Sequence, residues 1–127
     1  MTPKFHAIVE FTNSGYSAYV KEIEVYTTGK NIEEIGQNLI EAITLYFEPE
    51  TIKIQASQIQ MSFNFEEFFK KYRILNAQFL AKKIQIHPTL LSQYINGKKV
   101  VSLKQSEKIL RGIHQIGEEL ANIQWHA

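Results

Sequence analysis

Cysteine is absent from this chain of 127 residues, and so is aspartate. Without cysteine there is no disulfide framework, no thiol nucleophile and no thiolate metal site. Without aspartate, all 13 acidic residues are glutamates. Those of the N-terminal sheet, Glu10, Glu22 and Glu24, do not form the tight carboxylate set that two-metal phosphoryl chemistry needs. The four histidines, His6, His87, His114 and His126, are scattered, with no i,i+4 pair among them. Neither a G-x-x-x-x-G-K-[ST] nor a G-x-G-x-x-G phosphate loop is present. These absences argue against an enzyme, and no metal or cofactor is expected. No run approaches the roughly 18–20 apolar residues of a membrane span, and the N-terminus lacks a hydrophobic signal core. A cytoplasmic protein with no membrane partner is therefore expected.

What the chain does contain is apolar surface enough for a core: 44% hydrophobic residues, with eight Phe and six Tyr. The formal net charge of +1 hides an asymmetry. Residues 1–65 carry four lysines against eight glutamates, a net −4, whereas residues 66–127 carry ten Lys/Arg against five glutamates, a net +5. Such a split points to an acidic half and a basic half with different partners.

The acidic half reads as β-β-β-α-β. Residues 4–11 alternate as a strand with Phe5, Ala7, Val9 and Phe11 on one face. Asn13-Ser14-Gly15 is a turn leading into a second strand over 16–20, so a hairpin is expected. Residues 22–25, with Ile23 and Val25 inward, should extend or bend that strand, and Tyr26-Thr27-Thr28 form a short third. Asn31 is a good N-cap, with Glu34 completing a capping box. Ile32, Ile35, Leu39, Ile43 and Tyr46 then trace one helical face, widened by Ile40 and Phe47 and ended by Pro49. Over residues 51–65 the alternation of Ile52, Ile54 and Ala56 slips by one at Ser57-Gln58 before Ile59, Met61, Phe63 and Phe65, which predicts a bulge or a break there and a strand at 58–63. One helix on one face of a small sheet leaves the other face open to a partner.

The basic half centres on residues 76–99. Leu80, Ala81 and Ile84 form the inner face of a first short helix, Leu91 and Ile95 that of a second, and Ile86 lies in the turn between them. Pro88 sits where a helix begins and Gly97 where it ends, with Lys98 and Lys99 following at once. This is the layout of a DNA-reading helix-turn-helix, with a plain helical hairpin as the bland alternative. On the DNA-reading layout, Thr89, Leu90 and Gln93 face base edges, Gln93 suiting adenine and Thr89 or Leu90 a thymine methyl. Ser92, Asn96, Lys98 and Lys99 are placed for phosphates, while Lys82, Lys83 and Lys104 fit a solvated face. Before this motif, residues 65–72 predict a helix packing Phe65, Phe68, Phe69 and Tyr72. After it, Ser102 caps a long helix to about Ile123, in which Ile109, Ile113, Ile116, Leu120 and Ile123 repeat at 4, 3, 4 and 3. That stripe fits either a coiled-coil seam or packing on its own domain. Gly112 and Gly117 in the same helix permit close approach of a neighbour. A single reading helix spans few base pairs, so specific binding calls for two copies, a homodimer or a higher even oligomer.

Taken together, residues 5–64 resemble the HicB antitoxin family. The likeness rests on Gly15-Tyr16-Ser17-Ala18-Tyr19-Val20, Thr28-Gly29, Glu33-Glu34-Ile35, Asn38-Leu39, Ala42-Ile43 and Tyr46, in that order and spacing. The second half is similar to the Xre/Cro type of helix-turn-helix that some members carry. Where the family usually shows Pro-Asp-Leu-Pro-Gly-Cys, this chain has Lys21-Glu22-Ile23-Glu24-Val25-Tyr26, and Lys30 stands where an acidic residue is common. The resemblance implies an α+β chain: a HicB-like toxin-binding domain over 1–64, with a partial RNase H-like fold lacking nuclease activity, and an all-α helix-turn-helix domain over 65–127. It further implies an antitoxin that binds and blocks a small basic HicA-like mRNA interferase and represses its own operon on double-stranded operator DNA. Tyr16, Ser17, Tyr19, Glu22 and Glu24 are the expected toxin contacts. Two other functions are kept: a stand-alone repressor with a ligand-sensing or oligomerising N-terminal domain, and a residual RNase H-type enzyme dependent on Glu10.

Overall fold

The hairpin turn explains how the chain starts its sheet. In the computed structural model, which describes residues 4–47 and 53–125, Thr12 donates its N–H to the Gly15 carbonyl at 2.9 Å. This folds β1 (Phe5–Phe11) back on β2 (Tyr16–Val20) as an antiparallel pair. β3 (Tyr26–Gly29) continues antiparallel to β2. Between them, residues 21–24 neither extend nor continue the strand; they bend, with Val20 N–H donating across to the Val25 carbonyl at 3.1 Å. Ile23 is half-buried and Val25 fully buried, so the inward alternation holds through the bend.

α1 (Ile32–Tyr46) then crosses the sheet. Asn31 caps it, its Oδ1 accepting the Glu34 N–H at 2.8 Å. The return arm of the expected capping box reaches one residue further back: Glu34 Oε1 accepts from the Lys30 N–H at 3.4 Å. Ile35, Leu39 and Ile43 are fully buried. Tyr46, expected on the same stripe, is exposed: it lies in the last turn, where it lines a surface hollow with the bend at residues 21–24 instead of joining the core. Pro49, Thr51 and Ile52 lie outside the described residues.

The predicted break is a 3-10 turn over Ala56–Gln58, after which β4 (Ile59–Asn64) runs parallel to β1. The strand thus begins one residue later than expected, because Gln58 closes the turn by bonding its side chain back to the Gln55 N–H at 2.9 Å. α2 (Glu66–Lys71), α3 (Ala77–Ile84), α4 (Pro88–Ile95) and α5 (Leu103–Ala121) follow. α5 stops two residues short of Ile123, at the cap residue Asn122.

The second half is not all helix. Val101 and Ser102 form β5, paired antiparallel with Phe63 and Ser62 of β4, so the sheet runs β3-β2-β1-β4-β5 and its last strand is contributed by the residues before α5. The described residues form a mixed α+β fold of one five-stranded sheet and five α-helices. No helix among the described residues is long and apolar enough to cross a membrane.

Phe5, Ala7 and Val9 of β1, Ala18 and Val20 of β2, and Phe63 and Val101 of the far strands share one sheet face. They join Ile35, Leu39 and Ile43 in a core that continues without interruption through Phe65, Phe69, Leu80, Ala81, Ile84, Leu91 and Ile109. At one end of the sheet Phe11 stands 4.8 Å from Phe65 and 4.9 Å from Phe68, centroid to centroid, an aromatic joint between β1 and α2. Phe63 and Phe65 are completely enclosed, so replacing either by alanine should cost about 3–5 kcal/mol.

Candidate nucleic-acid and protein interfaces

The helix pair is built by a series of caps. Asn76 Oδ1 accepts the N–H groups of Gln78 and Phe79 at 3.0 and 3.2 Å, starting α3. Gln85 ends it in the left-handed conformation (φ 58°), and Ile86 turns inward, its N–H on the Ala81 carbonyl at 3.0 Å. Lys108 of α5 braces this turn by donating to the Gln85 carbonyl at 3.2 Å. His87 then caps α4: its Nδ1 accepts the Thr89 N–H at 3.2 Å, and Pro88 fills the first helical position.

At the other end of α4, Gly97 adopts φ 71°, which lets both Lys98 and Lys99 donate backbone N–H to the Gln93 carbonyl, at 2.9 and 3.3 Å. A side chain at Gly97 would strike the carboxylate of Glu66, which α2 presses against this turn. Leu80, Ala81, Ile84 and Leu91 are buried between the helices as expected. Ile95 is not the second inward residue of α4; Tyr94 is, with Ile95 half-buried beside it. Around the helix, 94 lies about 60° to one side of 91 and 95 about 40° to the other, so the burial of 94 places the core on that first side of Leu91.

Of the expected base contacts, Thr89 is exposed, while Leu90 and Gln93 are half-buried, Leu90 leaning on the core. Of the expected phosphate contacts, Ser92, Asn96, Lys98 and Lys99 are all exposed, with the Asn96 amide donating to Ser92 Oγ at 3.4 Å. Lys82 and Lys104 are exposed too, and Lys83 is tied to Glu119 at 2.9 Å. α4 therefore presents small hydroxyls and amides, and the turn after it carries the ammonium groups of Lys98 and Lys99 with no ion-pair partner among the described residues.

The acidic half offers a second surface. Opposite the core face, the sheet shows His6 and Glu10 of β1, Ser17 and Tyr19 of β2, and Tyr26 and Thr28 of β3, with Tyr19 directly across from Tyr26. The bend at residues 21–24 hangs beside them. Glu22 accepts the His6 N–H at 2.8 Å and also meets the His6 ring nitrogen. Burial of the Glu22 carboxyl opposes ionisation, but the hydrogen bonds from the His6 backbone and ring outweigh it and hold the carboxyl below its ordinary 4.5.

Tyr19, Val20, Lys21, Glu22, Ile23, Glu24, Tyr26 and Tyr46 line a shallow hollow of about 500 Å³, in which Lys21 stands beside the two glutamates. Ser17 borders an adjoining hollow, again with Tyr19 and Tyr26. Tyr16 belongs to neither: the register turns it to the core face opposite Phe11, its ring centroid 5.2 Å away, and its half-burial raises the pKa of its hydroxyl. Sequence alternation alone separates Tyr16 from Tyr19, since an odd spacing puts them on opposite faces. Tyr26 and Tyr46 were missing from the expected set. Tyr26 was legible from the same alternation, and Tyr46 was hidden by its fit to the core stripe of α1. The open edge of β3 is partly covered, because Asn38 donates its amide to the Thr28 carbonyl at 2.8 Å. Among the described residues no three His or Glu side chains cluster to hold a metal ion.

No family model, no curated protein and no solved structure matches this chain.

Proposed function

We propose that the protein is an antitoxin that also regulates its own synthesis: one surface of the sheet binds and silences a small basic HicA-like mRNA interferase, and α3–α4 act as a helix-turn-helix on operator DNA. The observation that carries this reading is the pairing, on one chain, of a tyrosine-lined hollow in the net-acidic half with a capped helix pair followed by Lys98 and Lys99. An acidic surface attracts and orients a basic RNA-binding partner, and its tyrosines supply anchoring area. The β-β-β-α-β order with α1 on one face suits a partial RNase H-like domain. The lack of aspartate suits one without nuclease chemistry.

On DNA, Gln93, Thr89 and Leu90 would read bases and Ser92, Asn96, Lys98 and Lys99 would hold phosphates, two copies being needed for a two-fold site. Co-expression with the product of the neighbouring reading frame tests the first half: a stable complex and restored growth are expected. Failure to capture any small basic RNase from the source cells sinks it. Gel shift with the upstream region tests the second half.

The competing reading is a stand-alone repressor with a ligand-sensing sheet domain. Its hollows, about 210 Å³ between α1 and β4 and about 440 and 500 Å³ along β2, β3 and the bend, all lie open to solvent among the described residues. A small-molecule site buries most of its ligand's surface, so the antitoxin reading stands ahead. For a residual nuclease, Glu10 stands on the open face across from Ser17 and Asn64, with no carboxylate opposite it on either neighbouring strand.

A further inference from the structure

The apolar stripe of α5 begins in the core and ends in water. Ile109 is completely buried, Ile113 and Ile116 are half-covered, and then Leu120 is 59% exposed. Past the helix end Ile123 is 64% and Trp125 80% exposed. Across from them, Phe79 of α3 is 72% exposed and Ile74, in the loop before it, 87%. Between these two groups lies a groove of about 280 Å³ walled by Ile74, Phe79, Leu80, Ile116 and Leu120. Nothing in this chain's described residues covers it. Scattered exposed apolar residues are ordinary, but three large ones lining one groove (Ile74, Phe79 and Leu120), with Ile123 and Trp125 exposed just beyond the end of α5, mark an interaction surface.

We infer that this surface is where a second copy of the same chain docks, by a two-fold contact that lays Leu120 and Ile123 of each copy in the groove of the other. Three observations select that occupant. The first is area. With roughly 150–250 Å² per aromatic side chain, Phe79 and Trp125 offer about 300 Å², and the three aliphatics bring the total to on the order of 600 Å². A standard interface takes about 800 Å² from each partner, so the groove walls need supply only the remainder.

The second is charge. The rim carries both signs in pairs, Lys83 with Glu119 at 2.9 Å and His114 with Glu118 at 3.0 Å. A strongly acidic or basic partner would call for a rim of one sign; a self-complementary contact needs both. The third is period. Within α5, positions 109, 113, 116 and 120 keep the 4, 3, 4 spacing of a helix seam beyond the point where the chain's own core stops using it. None of these residues belongs to α4, so its exposed side chains stay free in the pair. The inference meets the two-copy DNA binding proposed above but rests on the apolar surface alone.

Sedimentation equilibrium on the full chain in the absence of DNA tests it. A species of twice the chain mass is expected at about 100 µM, well above the Kd of an interface of this size. Leu120→Glu and Phe79→Glu, both at exposed positions, should each weaken association roughly 100-fold, as a central apolar anchor does, with the unfolding midpoint of the monomer kept. A wild-type chain that stays monomeric at this concentration, or a dimer indifferent to both variants, overturns the inference.

Should either variant unfold, crosslinking gives an independent reading. The chain has no cysteine, so Gly117→Cys on α5 and Ser14→Cys in the β1–β2 turn each carry a single thiol. A short bismaleimide should join two Gly117→Cys chains and not two Ser14→Cys chains. Equal yields from both, or none from either, also overturn it. Loss of DNA binding with the dimer intact would count against the helix-turn-helix reading and leave this one standing.

Discussion

Gly112 is where α5 passes closest to α3. A Cβ built on it would overlap Cγ2 of Ile84 and lie 3.5 Å from the Ile84 Cβ. That methyl is carried directly on a β-branched carbon held in one rotamer within a helix, so it cannot swing aside. Ile84 is itself buried beneath Ile86 and the helix pair. Gly112→Ala must therefore push α5 and α3 apart. Overpacking of this kind costs about 1–3 kcal/mol, against which alanine returns about 1 kcal/mol of helix propensity. The net expectation is a loss of up to about 2 kcal/mol.

Urea denaturation followed by far-UV circular dichroism, at one fixed chain concentration, should show a lower midpoint with an unchanged slope. Gly117→Ala, five residues further along the same helix with nothing within 4 Å of its Cβ, should instead gain about 0.5–1 kcal/mol. The decisive step is the double mutant. In an Ile84→Ala background the obstructing methyl is gone, and Gly112→Ala should cost nothing or stabilise, giving a coupling energy of about 1–3 kcal/mol. A Gly112→Ala chain at least as stable as its parent, or a penalty that persists undiminished beside Ile84→Ala, refutes the close crossing.

Further expectations follow from the caps, the ion pair and the reading helix. Asn31→Ala removes the side-chain acceptor of the Glu34 N–H and should lower stability by about 1 kcal/mol in the same urea assay, with Asn31→Ser recovering most of it. Because the Glu22 carboxyl is held below its ordinary 4.5, it binds its proton more weakly in the folded chain than in the unfolded one. Its stabilising contribution is therefore complete above that value and is lost as pH falls through the lowered one. Glu22→Gln should destabilise at pH 7 and make no difference at low pH, where both chains carry a neutral group; an equal deficit at both ends would sink the linkage. For DNA, Gln93→Ala should relax preference at one base position by roughly 1–3 kcal/mol. Lys98→Ala should weaken all sequences alike and flatten the salt dependence. Identical behaviour of the two would undo that division of labour, and neither should alter toxin neutralisation.

Much of the candidate nucleic-acid surface was legible before any coordinates, because caps and periods are local. Asn76, Pro88 and Gly97 bracket α3 and α4 with chemistry that needs no distant partner, and the residues that cap them are next to the groups they satisfy. The protein surface was legible only in part. Tyr19, Glu22 and Glu24 do come to one hollow, but Tyr46 reaches it from a helix 20 residues further along, and no pattern within either stretch announces the meeting.

By itself the sequence determined the periods: a strand, a hairpin turn, a capped helix, a break at Ser57-Gln58, and an inward stripe on each later helix. It did so because each of these is set within a few residues by backbone preference, capping and the alternation of apolar with polar side chains. Tertiary structure decided how far each stripe stays inside. Tyr94 rather than Ile95 turns to the core, Tyr46 lines the hollow at the 21–24 bend, and the α5 stripe runs out of chain to pack on after Ile116. It also decided that Val101 and Ser102 complete the sheet beside β4, although two residues are too few to show any period. Burial depends on what stands opposite a residue, and that is fixed only when distant segments meet.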